Sequence, residues 1–158
     1  MNWHGIALIF GGNRIEIPFT EEGGSSRESQ GFTEGGGTIL SGAELVRSSR
    51  LKGRFIYTVS ENLLISDCRL LQAWAEEQDA GNAGLIQLED WWMKISTQTI
   101  ARRNREAISG TSETSDGYTY SFFKTSAILQ PNGDFVGGIS FDGQGNSYRK
   151  TNFAVKEL

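Results

Sequence analysis

Two adjacent carboxylates, Glu89 and Asp90, run straight into Trp91 and Trp92 and form the most suggestive chemical cluster in the chain. A carboxylate pair beside aromatic rings is the machinery of glycoside hydrolysis, provided that the two groups flank one bond. Neighbours on a strand point to opposite faces, so on a strand Glu89 and Asp90 cannot do so, and in a turn they simply cap it. His4 is the only histidine and Cys68 the only cysteine. A histidine-based metal cluster is therefore excluded, and a Ser-His-acid triad would have to draw on the first few residues. Asp142, Gln144 and Asn146 alternate like calcium-loop ligands. The glutamate that should follow six residues later is missing, and Phe153 and Ala154 stand in that region; these residue types suit a turn. The glycines of 20–37 are flanked by acids and lack the Gly-Lys-Ser/Thr of a phosphate loop. Trp3, Trp74, Trp91 and Trp92 invite comparison with sugar-stacking platforms. Trp74 falls on a helical apolar stripe, however, and Trp91 and Trp92 would point to opposite faces, one into the core and one outward or into an interface. No catalytic residue, cofactor or metal ligand is assigned, and the chain reads as non-enzymatic.

The elements that position these residues are strands around one helix. Leu51, Phe55, Tyr57 and Val59 alternate with Lys52, Arg54 and Thr58, the pattern of a strand with one buried face. The spacing predicts a main helix over 66–79, with Ser66 as N-cap, Leu70, Leu71, Trp74 and Ala75 on one stripe, and Gly81 and Gly84 ending it. Leu85 to Trp92 resumes as strand. Ile6–Phe10 and Ile15–Phe19 predict a hairpin across Gly11-Gly12-Asn13-Arg14, with Pro18 marking an edge or an end. Residues 20–37 are nearly devoid of apolar side chains except Phe32. They predict a long Gly-rich loop, or an arm that orders against a neighbour with Phe32 as anchor. Within 96–117, the segment Ile100–Ile108 is left between strand and short helix, leaning to strand, and Gly110–Gly117 is a loop by composition. Residues 118–158 predict a three-stranded β-meander with turns at Gln130–Asp134 and Asp142–Asn146 and a bulge at Gly137-Gly138. The fold class is one α+β domain over 1–158, mainly antiparallel β.

At 158 residues the chain can bury a core without disulfides or metal. A lone cysteine makes no internal disulfide, which fits synthesis in a reducing compartment, and Cys68 reads as a plain buried thiol. The net charge of −4 and a pI near 5.1 argue against direct nucleic-acid recognition. The start of the chain lacks a signal-peptide pattern, and no stretch has the roughly 20 apolar residues of a membrane span. Charge is unevenly spread: Glu44 to Arg54 holds four bases and one acid, whereas Glu61 to Asp90 holds seven acids and one base. Opposed patches suit head-to-tail contact between copies of one chain. The candidate subunit-interface residues are Phe32, the basic Arg47, Arg50, Lys52 and Arg54, the acidic Glu76, Glu77 and Asp79, Trp92, and the basic run Arg102, Arg103 and Arg105. Solvated charged faces with no partner are the alternative.

In the order of its features the central third resembles the ring-forming hub domain of distal tail proteins, and related minor tail proteins, of long-tailed bacteriophages. The matching pieces are Gly42 with Arg47 and Arg50, the strand Lys52 to Val59, the helix with Leu70, Leu71 and Trp74, and Leu85-Ile86-Gln87-Leu88-Glu89-Asp90-Trp91-Trp92. The resemblance implies a β-barrel or sandwich-like hub with a packed helix, a homo-oligomer in a hexameric ring, and a place between tail tube and tail tip or fibre. It also implies a virion location after synthesis in the host cytoplasm. The chain is too short for the second, galectin-like domain that many such proteins carry, and residues 118–158 follow no pattern of that family. A small-ligand-binding β-barrel and a virion-associated hydrolase are the alternatives.

Overall fold

The computed structural model describes residues 3–30, 33–38, 44–49, 53–141 and 147–158; within 30–52 and 131–147 only backbone is described. The elements run β1 (Gly5–Phe10), β2 (Asn13–Pro18), β3 (Ser26–Gln30), β4 (Thr33–Thr38), β5 (Glu44–Ser49), β6 (Arg54–Leu64), α1 (Ile65–Asp79), β7 (Ile86–Ser96), α2 (Thr97–Ala101), β8 (Glu106–Ala107), β9 (Glu113–Ser115), β10 (Tyr118–Phe141) and β11 (Ser147–Glu157). The main sheet is antiparallel, in the order β2-β1-β7-β10-β11-β6-β3, with β8 and β9 also pairing β10. β4 and β5 form a separate two-stranded sheet.

Alternation decides which face is inside. On β6 the buried residues are Phe55, Tyr57, Val59, Glu61 and Leu63; on β11 they include Thr151, Phe153, Val155 and Glu157. Leu88 and Asp90 on β7, and Phe123, Ala127 and Leu129 on β10, complete the layer. A period of two puts all of them on one face. That face is concave. Arg27 on β3 reaches Asp90 on β7, three strands away from its neighbour β6, and the Phe55 and Phe123 rings lie 5.6 Å apart across the interior. No described ladder joins β2 to β3, so the sheet is open there. Glu61 on β6 bridges the seam, accepting from the Thr20 amide at 2.9 Å and from the Thr20 and Ser25 hydroxyls at 2.8 and 2.9 Å. A cleft of about 420 Å³ remains beside it.

The helix α1 spans nearly the expected range but starts differently. Leu64, in extended conformation, occupies the N-cap without a side-chain bond, and Ser66 lies inside the first turn. Its buried face is Cys68, Leu71 and Ala75, at spacings of three and four. Leu70 was expected on that stripe; it sits one residue, about 100°, away from Leu71 and is exposed. Trp74 packs on Phe10 with ring centroids 5.1 Å apart. Cys68 is buried, as expected, with its sulfur 3.0 Å from the Thr151 hydroxyl. Near the helix end, the Gln78 amide donates to the Leu129 carbonyl (2.6 Å) and accepts from the Leu129 amide (3.1 Å). It takes the place of a strand where the β7 ladder stops at Ile86 and Ala127.

Four other expectations change. The meander of three strands is one long hairpin: β10 continues through Pro131, and its ladder with β11 slips twice. Between the pairs Pro131–Phe153 and Val136–Thr151 four residues of β10 face one of β11, so the Pro-Asn-Gly signal makes a large bulge rather than a reversal. The second slip holds Gly137 and Gly138 against Lys150 alone, the bulge expected there. The turn at Asp142–Asn146 lies outside the described residues. Ser96 caps the short α2 by accepting from the Thr99 amide, so Ile100 ends up in a helical turn and not a strand. Gly110–Gly117 is not all loop: Asp116 and Gly117, with φ of 53° and 81°, make the tight turn between β9 and β10. The largest departure is within 20–37, where Ser26–Gln30 pairs with β6 as an edge strand of the main sheet, and Thr33–Thr38 pairs with β5.

Candidate assembly interface

The excursion from β3 to β6 is the feature that the sheet itself does not require. Gln30 and Arg54 face each other directly across the β3–β6 ladder. Between them in sequence stand residues 31–53, whose described strands β4 and β5 are hydrogen-bonded only to each other. A two-residue turn can join facing positions of an antiparallel pair. The strands that carry the excursion are held down on the inner face. Arg27, on β3 and with its side chain 8% exposed, lies 2.6 Å from the Asp90 carboxylate, which is fully buried. The same Asp90 oxygen accepts from the Tyr57 hydroxyl at 2.7 Å. Its other oxygen accepts from the amides of Trp92 (2.8 Å) and Met93 (3.4 Å). Burial, then the charge of Asp90, push the Tyr57 phenol well above its ordinary value.

Asp90 thereby holds a bulge. The β7–β10 ladder pairs Asp90 with Phe123 and Ile95 with Ser121, so Trp91 to Lys94 bow out of it. Trp91 and Trp92 go to different surroundings, but both are half-buried in the bulge, so neither is the core residue that strand alternation predicts for one of them. Trp91 meets Trp3 and Phe122, with its indole N–H on Glu89, while Trp92 packs edge-on against Phe19. Glu89 is paired with Arg14 at 2.8 Å, on the opposite face from Asp90.

A second ion pair lies beside the first. Arg105 grips Glu157 with two nitrogens, at 2.7 and 2.6 Å, and also donates to the carbonyls of Thr99 and Gly53 at 3.0 Å. Glu157 is fully buried and takes the Phe55 amide as well. The guanidiniums of both Arg27 and Arg105 lie over the Phe55 ring, 4.5 and 4.4 Å from its centroid.

The residues singled out from the sequence separate into groups. Glu76, Glu77 and Asp79 are exposed together on the last turns of α1, and Arg102 is exposed after α2. Arg54 is half-buried at the start of β6. Trp92 is half-buried on Phe19, inside the chain's own packing. Arg105 is a correction: with 2% of its side chain exposed, it is taken up by Glu157 and two carbonyls and offers nothing to a neighbour. Arg103 is directed to the same carboxylate at 3.5 Å. Phe32, Arg50 and Lys52 lie outside the described residues, as does the side chain of Arg47, whose backbone pairs with Gly35 in the ribbon. Asp142, Gln144 and Asn146 also lie outside them. The acidic patch is smaller than its sequence count, because Glu61 and Asp90 are buried and Glu89 is paired.

Sequence reasoning missed Arg27, Tyr57, Glu61, Asp90 and Glu157 as a group. A signal was present for the acids: each continues a strand's apolar phase, as in Ile86-Leu88-Asp90 and Phe153-Val155-Glu157. Among the described residues no group of three or more His, Cys, Asp or Glu is placed to hold a metal ion. No described helix is long and apolar enough to cross a membrane. Comparison of the chain with protein-family models, with curated proteins and with solved structures finds no match.

Proposed function

We propose that this chain is a structural subunit that assembles with copies of itself through the 31–53 excursion. Following the resemblance of its central third, we assign it as a ring-forming hub or minor tail subunit of a long-tailed phage, joining tail tube to tail tip. In this reading the curled sheet is the hub's barrel, α1 is its packed helix, and the ring has six copies. The observation that carries the reading is the excursion itself: a ribbon inserted between two residues that already face each other in one ladder. A segment that the sheet can do without has its use outside the sheet. The exposed acids at the end of α1 supply a surface opposite in charge to Arg47, Arg50 and Lys52 of the excursion, which suits head-to-tail contact.

Light scattering and negative-stain imaging of the purified chain, alone and with tail proteins, test it. Rings are expected for the full chain. A variant in which a short Asn-Gly turn replaces 31–53 should stay folded and monomeric. A full chain that remains monomeric at high concentration and with tail proteins present would overturn the reading. Rings formed equally by the shortened variant would remove the excursion from the interface.

A further inference from the structure

We propose that Asp90 is a shared latch coupling β3, from which the excursion departs, to the Trp91–Lys94 bulge of β7, so that release of one releases the other. The two segments are more than sixty residues apart in sequence and are not neighbours in the sheet, yet one buried carboxylate serves both. One oxygen of Asp90 takes Arg27 and Tyr57; the other takes the amides of Trp92 and Met93. Arg27 closes the circuit, since the nitrogen that reaches Asp90 also donates to the Met93 carbonyl at 3.1 Å. Arg27 therefore holds the bulge twice, once through Asp90 and once directly.

The physical reason for coupling is that neither half can leave quietly. If β3 swings away, the buried Asp90 carboxylate is left with only Tyr57 and two bulge amides, and the Met93 carbonyl loses the Arg27 donor. The carboxylate must then turn toward water, which takes it from the amides that shape the bulge. If the bulge moves first, Arg27 loses the Met93 carbonyl and the fixed position of Asp90. β3 is the element placed to move: it has five residues, lies at the sheet edge, and among the described residues pairs on one side only. The bulge is the readout, because it sets Trp91 against Trp3 and Phe122, Trp92 against Phe19, and leaves Met93 exposed. A pull on the excursion thus changes an aromatic surface elsewhere on the same molecule, through a device that does not depend on what the excursion contacts.

Native-state hydrogen exchange on the full chain tests the latch whether or not rings form. In Arg27→Gln, the amides of Trp92 and Met93 should exchange at least tenfold faster, together with those of Ser26–Gln30, while β1 and β2 stay at wild-type rates. Faster exchange at 26–30 with Trp92 and Met93 unchanged would overturn the proposal. A second variant guards against a fold that fails altogether. Ser26 and Thr58 face each other in the β3–β6 ladder, and a disulfide from Ser26→Cys with Thr58→Cys would pin β3 to β6. Oxidation should slow exchange at Trp92 and Met93 relative to the reduced form of the same protein; equal rates in the two forms would also overturn it.

Discussion

Three acids buried on the inner face set the behaviour of single residues. Burying an ion pair is costly, and the gain over an apolar pair is small, but leaving one partner alone is costlier still. Arg105→Met strands Glu157 with the Phe55 amide and the more distant Arg103. It should cost about 3–5 kcal/mol in a urea titration; a loss below about 1 kcal/mol, the size of a surface pair, would contradict the burial described. Tyr57 gives a pH signature. Folding raises its ionisation above the ordinary phenol value near 10, first by burial and next by the charge of Asp90. The unfolded chain therefore gives up this proton first, and the contribution to stability is intact below pH 10 and lost as pH rises beyond it. Tyr57→Phe has nothing to titrate. The stability gap between wild type and variant should stay constant below about pH 10 and narrow as pH rises above it; parallel curves would refute the assignment.

At the scale of elements, small differences of phase decide what a residue is for. Leu70 and Leu71 are neighbours of one type, but only Leu71 faces the sheet, fully buried. Leu71→Ala should cost about 2–5 kcal/mol, as deletions in close-packed cores do. Leu70→Ala should stay within about 0.5 kcal/mol, as exposed sites do. Thermal melts of the pair read the difference directly, and similar losses would mean that α1 is rotated about its axis, with both leucines sharing the contact. The seam between β2 and β3, which Glu61 bridges, depends on Gly23. A β carbon at that position would overlap the Glu61 carboxylate, which three neutral donors already fix. Gly23→Ala should displace Glu61 and destabilise by about 1–3 kcal/mol, the range for a buried polar group left unpaired.

For the whole molecule, the inner layer runs through most of the main sheet, while β4 and β5 stand apart as a ribbon. Stability and assembly are then separable. Replacing 31–53 by a short turn should move the melting midpoint by no more than about 4 °C, equivalent to about 1 kcal/mol in a chain of this size. A much larger fall would show that the excursion belongs to the fold. The opposed charges make a further statement at this scale. With Glu61, Asp90 and Glu89 already satisfied within the chain, the assembly proposed above would draw its attraction between copies from Glu76, Glu77 and Asp79. Exposed pairs are screened at high salt, so self-association should weaken as salt is raised from about 0.05 to about 0.5 M.

Local pattern determined the mainly antiparallel β fold and the helix near 66–79, which rest on periods of 2 and 3.6 written in neighbouring residues. The burial of Cys68 was legible from its residue type, and the bulge at Gly137-Gly138 from two glycines inside an alternating strand. Pattern overreached where a local signal had to compete with a long ladder: Pro131-Asn132-Gly133 reads as a reversal, but continuous pairing with β11 turned it into a bulge. It fell short at Ser26–Gln30, whose polar side chains carry no apolar period, because pairing with β6 and the pull of Asp90 on Arg27 are interactions with distant residues. The phase of β7 and β11 places Asp90 and Glu157 inside, and nothing nearby in sequence says which arginine will meet each. That choice belongs to the curl of the sheet, which brings Arg27 to Asp90 and Arg105 to Glu157 over a single phenylalanine ring.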